Sequence, residues 1–299
     1  MANDSGSTVP RRQLGRYLRQ LREQARIMVK DAADMLEVSP QKLWRIETGR
    51  GHERIRSVEV ETMCKLYDAP AELTGALVAL ARETKAKGWW QAYGEVIPTW
   101  FELYVGLEAA ATRIRKYEAE LVPGLLQTRG YAEAMFRTYR PDIGDDELQR
   151  AVGVRMERQA LLARELPAAP ALEVVLSEVV LRRPIRDPAA MATQCRALLA
   201  AAEVPHISLR VLPMAVGPTR ASLSGPFTIL EFPPGVAGAA GEPTTIYSES
   251  LTGALYLDRP QEVAVYESVW SELTGHALDE AESQKVITSV IGEMSTWRI

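Results

Sequence analysis

The side chains in this sequence that are best suited to bind a ligand lie between residues 30 and 56, and their chemistry is that of DNA contact. Gln41 has an amide that can form two hydrogen bonds with adenine, and Arg45 has a guanidinium that can form two with guanine. Pro40 precedes them, so we expect Pro40, Gln41 and Arg45 to face the bases. A second set carries the charge or hydroxyl group that suits phosphate, which positions a protein on DNA without reading its sequence. These residues are Lys30, Ser39, Lys42, Arg50, Arg54 and Arg56.

The distribution of charge agrees with contact to a polyanion. The formal charge of the chain is −4, but residues 1–87 carry +4 and residues 88–299 carry −8. Within residues 11–56 the excess is +6. A basic module attached to an acidic remainder is typical of proteins that bind nucleic acid at one end. A solvated, arginine-rich helix face would give the same charges, so the charge alone does not decide between these interpretations.

The segments that contain these residues have the spacing of helices. Apolar residues recur every three or four positions over 14–25, which predicts a first helix, and a short second helix is predicted over 29–37. Ser39 is a suitable N-cap for a third helix with Pro40 at its first position, and Gly49 is a suitable stop. Two short helices joined by a tight turn, the second of them basic, predict a helix-turn-helix that places its second helix in the major groove. A three-helix bundle that binds a protein is the alternative.

Three segments of this region resemble the XRE-type (Cro/phage-repressor-like) helix-turn-helix domain. They are residues 14–23, 32–39 and 43–50, and the most specific part is RIETGR at 45–50. The resemblance implies that the second helix begins with a glutamine that holds a phosphate. Val29 stands at that position here, so we expect that contact to be lost.

Beyond residue 88 the pattern changes from helices to short segments rich in Val, Ile and Phe, bounded by Pro or Gly, which are typical of strands. A helix is predicted over 100–121. The predicted strands span 172–180, 206–212, 227–232 and 244–248. The sequence therefore predicts a multidomain chain: a disordered leader over 1–10, an all-α helix-turn-helix domain over 11–87, and an α+β domain over 88–299.

A series of short segments characterises the second predicted domain. They begin at Gly88 (GWW), Leu121 (LVPGLLQT), Tyr131 (YA), Arg158 (RQ), Ser177 (SE), Arg210 (RVLP), Phe227 (FTIL) and Tyr247 (YSES), with Glu118 between the first two. This series resembles the large C-terminal domain of WhiJ-like actinobacterial regulators. The resemblance implies a Streptomyces-like regulator of development or antibiotic production, described as antitoxin-like and often encoded beside a small partner protein.

Aromatic residues are concentrated just after the predicted domain boundary. They are suited to a buried core at the joint between the domains, and equally to the apolar wall of a pocket for a ligand or partner. Both interpretations stay open from the sequence. The residues concerned are Trp89, Trp90, Trp100, Tyr104 and Tyr117.

Catalysis, a metal and a cofactor are not predicted. The two cysteines, Cys64 and Cys195, and the three histidines lack the spacing of metal ligands. No phosphate-binding loop, zinc-protease motif or nucleophile elbow is present. The sequence has neither an apolar run long enough for a membrane helix nor a signal peptide at its start, which predicts a cytoplasmic protein with no membrane contact.

Together these features predict a sequence-specific, DNA-binding transcription regulator that is not an enzyme. We expect a homodimer on double-stranded DNA, with two half-sites about one helical turn apart. The C-terminal domain is expected to sense a small partner protein or a small-molecule effector. The alternative is an antitoxin-like protein whose main task is to bind a small partner protein, with DNA binding secondary.

Overall fold

The computed structural model describes residues 8–49, 55–83, 99–165, 167–185, 187–234, 242–250 and 253–294. Within these ranges the chain forms two compact units. The first unit contains the N-terminal helices together with residues 102–110 and the described ends of the segment 232–243. The second contains residues 99–101, residues 111–231 and the described residues from 244 onward.

The first unit is helical, as predicted. Its core forms where the apolar side of the first helix meets small and branched residues of the others, including Leu14, Leu18, Ala33 and Leu43, all fully buried. The helices are α1 (Thr8–Gln24), α2 (Val29–Met35), α3 (Pro40–Thr48), α4 (Ser57–Leu66), α5 (Ala71–Glu83) and most of α6 (Thr99–Ala110).

The bounds of α3 agree with the prediction, because both ends depend on local signals. Ser39 caps the first turn, Pro40 occupies its first position, and Gly49 ends it with a left-handed φ of 64°. Helix α1 begins at Thr8, so its first turn overlaps the leader predicted for residues 1–10. Residues 1–7 of that leader lie outside the described residues.

The second unit contains a six-stranded mixed sheet in the order β3-β2-β1-β4-β5-β6, so the predicted α+β class is confirmed. Strands β1, β2 and β3 are parallel, and β4, β5 and β6 continue from β1 by antiparallel pairing. The strands are β1 (Arg113–Glu118), β2 (Ala171–Ser177), β3 (Ile207–Leu212), β4 (Phe227–Glu231), β5 (Thr245–Ser250) and β6 (Gly253–Leu257). The helices are α7 (Arg129–Tyr139), α8 (Asp145–Gln159), α9 (Glu178–Arg182), α10 (Pro188–Ala202), α11 (Ala221–Ser224), α12 (Pro260–His276) and α13 (Glu280–Glu293).

The predicted helix over 100–121 is wrong in its second half, because α6 ends at Ala110 and strand β1 follows. The charged residues of β1 concealed the strand, since a search for apolar segments passes over them. They are accommodated by ion pairs: Arg113 Nε donates to Glu173 Oε1 on β2 at 2.6 Å, and Arg115 Nη1 donates to a carboxylate of α12 at 2.6 Å. Strand pairing therefore decided the conformation of this segment.

One apolar core of the second unit lies between one face of the sheet and α12, and a separate one joins α7 and α8. Side chains from β1, β2, β4 and β5 meet Trp270 and Leu273 of α12. The ring of Phe227 lies 5.0 Å from that of Tyr266, edge to face, a favourable geometry for aromatic pairs. This packing holds the sheet and α12 together as one body.

Candidate nucleic-acid interface

Helix α3 presents one face outward and buries the other. Leu43, Ile46 and Glu47 are buried, whereas the side chains of the opposite face are exposed. The exposed residues of its first two turns are Pro40, Gln41, Trp44 and Arg45. All three residues predicted to face bases therefore lie on one accessible surface, with Pro40 and Gln41 in the first turn of the helix and Arg45 in the last.

The start of α3 is held by its own cap. The backbone N–H of Lys42 donates to Ser39 Oγ at 3.1 Å, and the side chain of Ser39 is exposed. A helix N-terminus carries a partial positive charge, which favours an anion such as phosphate beside it. Ser39 therefore stabilises the first turn of α3 and leaves that turn accessible to a phosphate.

The residues predicted to contact phosphate have different surroundings. Lys30 and Arg56 are exposed. Lys42 Nζ lies 3.0 Å from Glu59 Oε1, and Glu59 also accepts the backbone N–H of Arg56 at 2.8 Å. Burial alone would raise the pKa of Glu59, but these hydrogen bonds lower it overall, so the carboxylate stays ionised. Lys42 is thus already paired with an anion of the chain. The remaining two, Arg50 and Arg54, lie outside the described residues.

The position of α3 depends on a close approach to α1. A Cβ on Gly15 of α1 would lie 2.3 Å from the carbonyl oxygen of Ile46 and 2.9 Å from that of Glu47. No side chain fits there, so the two helix backbones touch. The signal in the sequence for this role is a glycine inside a helical pattern, which is typical of close packing.

A buried ion pair provides the second attachment between α1 and α3. Arg22 Nε donates to Glu47 Oε1 at 2.6 Å, and Arg22 Nη2 donates to Glu47 Oε2 at 2.8 Å. A third donor of Arg22 reaches the carbonyl of Ile27 at 2.9 Å, and the hydrogen bond to Glu47 raises the pKa of the arginine. Both the arginine and the glutamate are buried, so the hydrogen bonds between them are closed to solvent.

The aromatic residues predicted to form either a core or a pocket are only partly described. Tyr104 is buried on α6 and belongs to the first unit, whereas Tyr117 is buried on β1 in the second. The ring of Tyr117 lies 6.0 Å from that of Phe227, within the apolar core against α12. The side chain of Trp100, together with Trp89 and Trp90, lies outside the described residues.

The VPGLLQT segment (122–128) is held by buried amide side chains. The side chain of Gln127 is buried and donates to the carbonyl of Val122 at 2.8 Å. Gln194 of α10, which is fully buried, donates to the carbonyl of Leu126 at 2.7 Å. These amides satisfy backbone groups of a buried irregular segment, as burial requires.

Two kinds of feature are absent from the part of the chain that the structure describes. Among its residues, no group of three or more His, Cys, Asp or Glu side chains is placed to hold a metal ion. None of the helices in the described ranges combines the length and the apolar character needed to span a bilayer.

Comparison with protein families gives two matches. Residues 13–77, which include α2, α3 and α4, match a model described as a helix-turn-helix domain. Residues 101–289 match a model described as a domain of unknown function, DUF5753. No curated protein and no solved structure matches the chain.

Proposed function

Because the chain belongs to the DUF5753 family and carries a helix-turn-helix domain before that region, we propose that it is a sequence-specific, DNA-binding transcription regulator of the XRE type. The observation that carries the proposal is the exposed N-terminal half of α3, which is held against α1 by Gly15 and by the buried pair of Arg22 and Glu47. A regulator of this kind acts on the chromosome, in the cytoplasm.

In this proposal α3 enters the major groove with its first two turns. Gln41 pairs with adenine and Arg45 with guanine, each pair contributing about 1–3 kcal/mol of discrimination. Lys30, Ser39 and Arg56 contact phosphates, joined by Arg50 and Arg54. Lys42 contributes only if phosphate replaces the carboxylate of Glu59, so we expect its share of the affinity to be small.

We further propose that two copies bind a pseudo-palindromic site. Helix-turn-helix dimers place their recognition helices about one turn of DNA apart, roughly 34 Å, so the half-site spacing is a geometric consequence of the dimer. The spacing of the selected half-sites would therefore measure the geometry of the dimer.

The C-terminal region is proposed to act as a WhiJ-like, actinobacterial sensor of a small partner protein or a small-molecule effector. The supporting observation is that the first unit includes residue 242, from the segment between β4 and β5. The carboxylate of Glu242 lies 2.7 Å from Arg16 and 3.6 Å from Arg12, and only 1% of its side chain is exposed. Glu242 therefore contacts α1, the helix that positions α3, inside the first unit. A ligand of the C-terminal region regulates DNA binding if it binds with different affinity to the DNA-competent and incompetent states.

Selection of binding sites from random duplex DNA at fixed salt tests the proposal. Wild type is compared with Arg45→Ala and with Arg196→Ala, which removes an exposed arginine of α10. We expect an enriched palindrome, loss of preference at one base position in Arg45→Ala, and no change in Arg196→Ala. Binding that depends on salt alone, with no enriched sequence, would contradict the proposal and favour the antitoxin-like alternative.

A further inference from the structure

Trp44 is an unusual residue to find exposed on the outer face of α3. Half of its surface is accessible, although burying an indole removes one of the largest apolar surfaces that a residue has. Tryptophan is also among the residues that contribute most when an interface forms around them. The hydrogen bonds proposed for Gln41 and Arg45 therefore do not account for an apolar indole on the exposed face of α3.

The helical geometry places Trp44 between Pro40 and Gln41 on that surface. Each residue turns the helix by about 100°, so Trp44 points between the directions of Pro40 and Gln41, one turn further along. Arg45 is displaced by about 100° from Trp44, towards one edge of the exposed arc. Trp44 and Pro40 thus form one apolar area of the surface, and the hydrogen-bonding groups of Gln41 and Arg45 both lie beside it on the same side.

The chemical groups in the major groove indicate what the apolar area formed by Trp44 and Pro40 can recognise. Among the base edges in that groove, the apolar group is the C5-methyl of thymine, and the other groups are hydrogen-bond donors and acceptors. A ring that covers a donor or acceptor leaves it without a partner, which disfavours the other bases. Pro40, whose ring lies beside Trp44 on the same face, adds to the apolar surface.

Resting on the proposed DNA-binding function, we propose that Trp44 is a specificity-determining residue that recognises the 5-methyl group of thymine, in the base pair next to the one that Gln41 reads. The contact excludes water from the methyl group and adds a thymine preference to the amide and guanidinium contacts. Removing the methyl group from that one thymine is expected to weaken binding about fourfold, the factor that corresponds to burial of one methyl group.

The test replaces each thymine of the selected site, one at a time, by deoxyuridine, which lacks only the methyl group. Affinities of wild type, Trp44→Phe and Trp44→Ala are measured for each duplex at one salt concentration. Leu223→Ala, which removes a side chain of the second unit that is 93% exposed, is the control for loss of exposed apolar surface.

We expect wild type and Leu223→Ala to lose about fourfold at one thymine, Trp44→Phe to keep part of that loss, and Trp44→Ala to bind both duplexes equally. Equal sensitivity to uracil in wild type and Trp44→Ala would overturn the role of Trp44, as would a wild type insensitive at every thymine. Both results are compatible with the proposed function, because wild type has then selected a DNA site. Failure of wild type to select any site would instead refute the proposed function, and the role of Trp44 with it.

Discussion

Replacing Glu47 by glutamine should weaken the attachment of α3 to α1, although the substitution changes only a carboxylate to an amide. Arg22 and Glu47 form two hydrogen bonds to each other with only 7% and 4% of their side chains exposed. Glutamine cannot accept both bonds as a carboxylate does, so the buried Arg22 loses its closest counter-charge and keeps only Glu23, which is 3.9 Å away and more than half exposed. Breaking a buried pair by removing one partner costs about 3–5 kcal/mol.

Hydrogen exchange of the full chain, measured by mass spectrometry, shows which helices lose stability. A loss of about 3 kcal/mol corresponds to a hundredfold faster exchange of the α1 and α3 amides. We expect peptides of the sheet in the second unit to exchange at the wild-type rate. DNA affinity should fall as well, because part of the binding energy is then used to order α3.

The exposed pair of Arg19 and Glu23 on the same helix is the matched control. Its two atoms are 2.8 Å apart, but both side chains are more than half exposed, so Arg19→Gln, which leaves the contact of Glu23 with Arg22 in place, should cost less than about 1 kcal/mol. The double substitution Arg22→Met with Glu47→Met should recover most of the loss, because no buried charge is left unpaired. Equal exchange rates in Glu47→Gln and Arg19→Gln would refute the reasoning.

Two further predictions follow from the same unit. Gly15→Ala should lower the free energy of unfolding by about 1–3 kcal/mol and weaken DNA binding, because the new Cβ would overlap the Ile46 carbonyl and push α1 away from α3. Thermal unfolding measures the loss of stability, and binding titrations measure the loss of DNA affinity. The lowered pKa of Glu59 implies stability that is fully present above pH 4.5, its unfolded value, and is lost as the pH falls through the lower folded pKa. Glu59→Gln should therefore be about 1 kcal/mol less stable at pH 7, and the difference should shrink in acid, as followed by urea unfolding from pH 7 to pH 3.

Each of these two predictions has a control and an outcome that contradicts it. For Gly15 the control is Gly75→Ala inside α5, where a Cβ meets no atom within 4 Å, so the variant should gain about 0.5–1 kcal/mol. If Gly15→Ala is as stable as wild type and binds DNA equally well, α1 and α3 can move apart without a loss of free energy, which would contradict the prediction. For Glu59, a stability difference that stays constant between pH 7 and pH 3 would show that its charge contributes nothing.

The sequence predicted features of α3 that depend on neighbouring residues in the chain. Ser39, Pro40 and Gly49 each act within one or two turns, so the bounds of the helix follow from local rules. The division of α3 into an inner and an outer face also follows, since the period of a helix is a property of the backbone. These local rules are enough to predict a helix-turn-helix and, from its exposed side chains, contact with DNA.

Tertiary structure decided the features that join residues distant in the chain. Arg22 has the periodicity of a surface residue, and only the packing of α1 on α3 brings it to Glu47. Residues 113–118 are charged enough to be taken for part of a helix, and pairing on both sides made them a central strand. Glu242 reaches Arg16 across 226 positions of the chain. These contacts are set by the free energy of packing in three dimensions, which local propensity and periodicity do not contain.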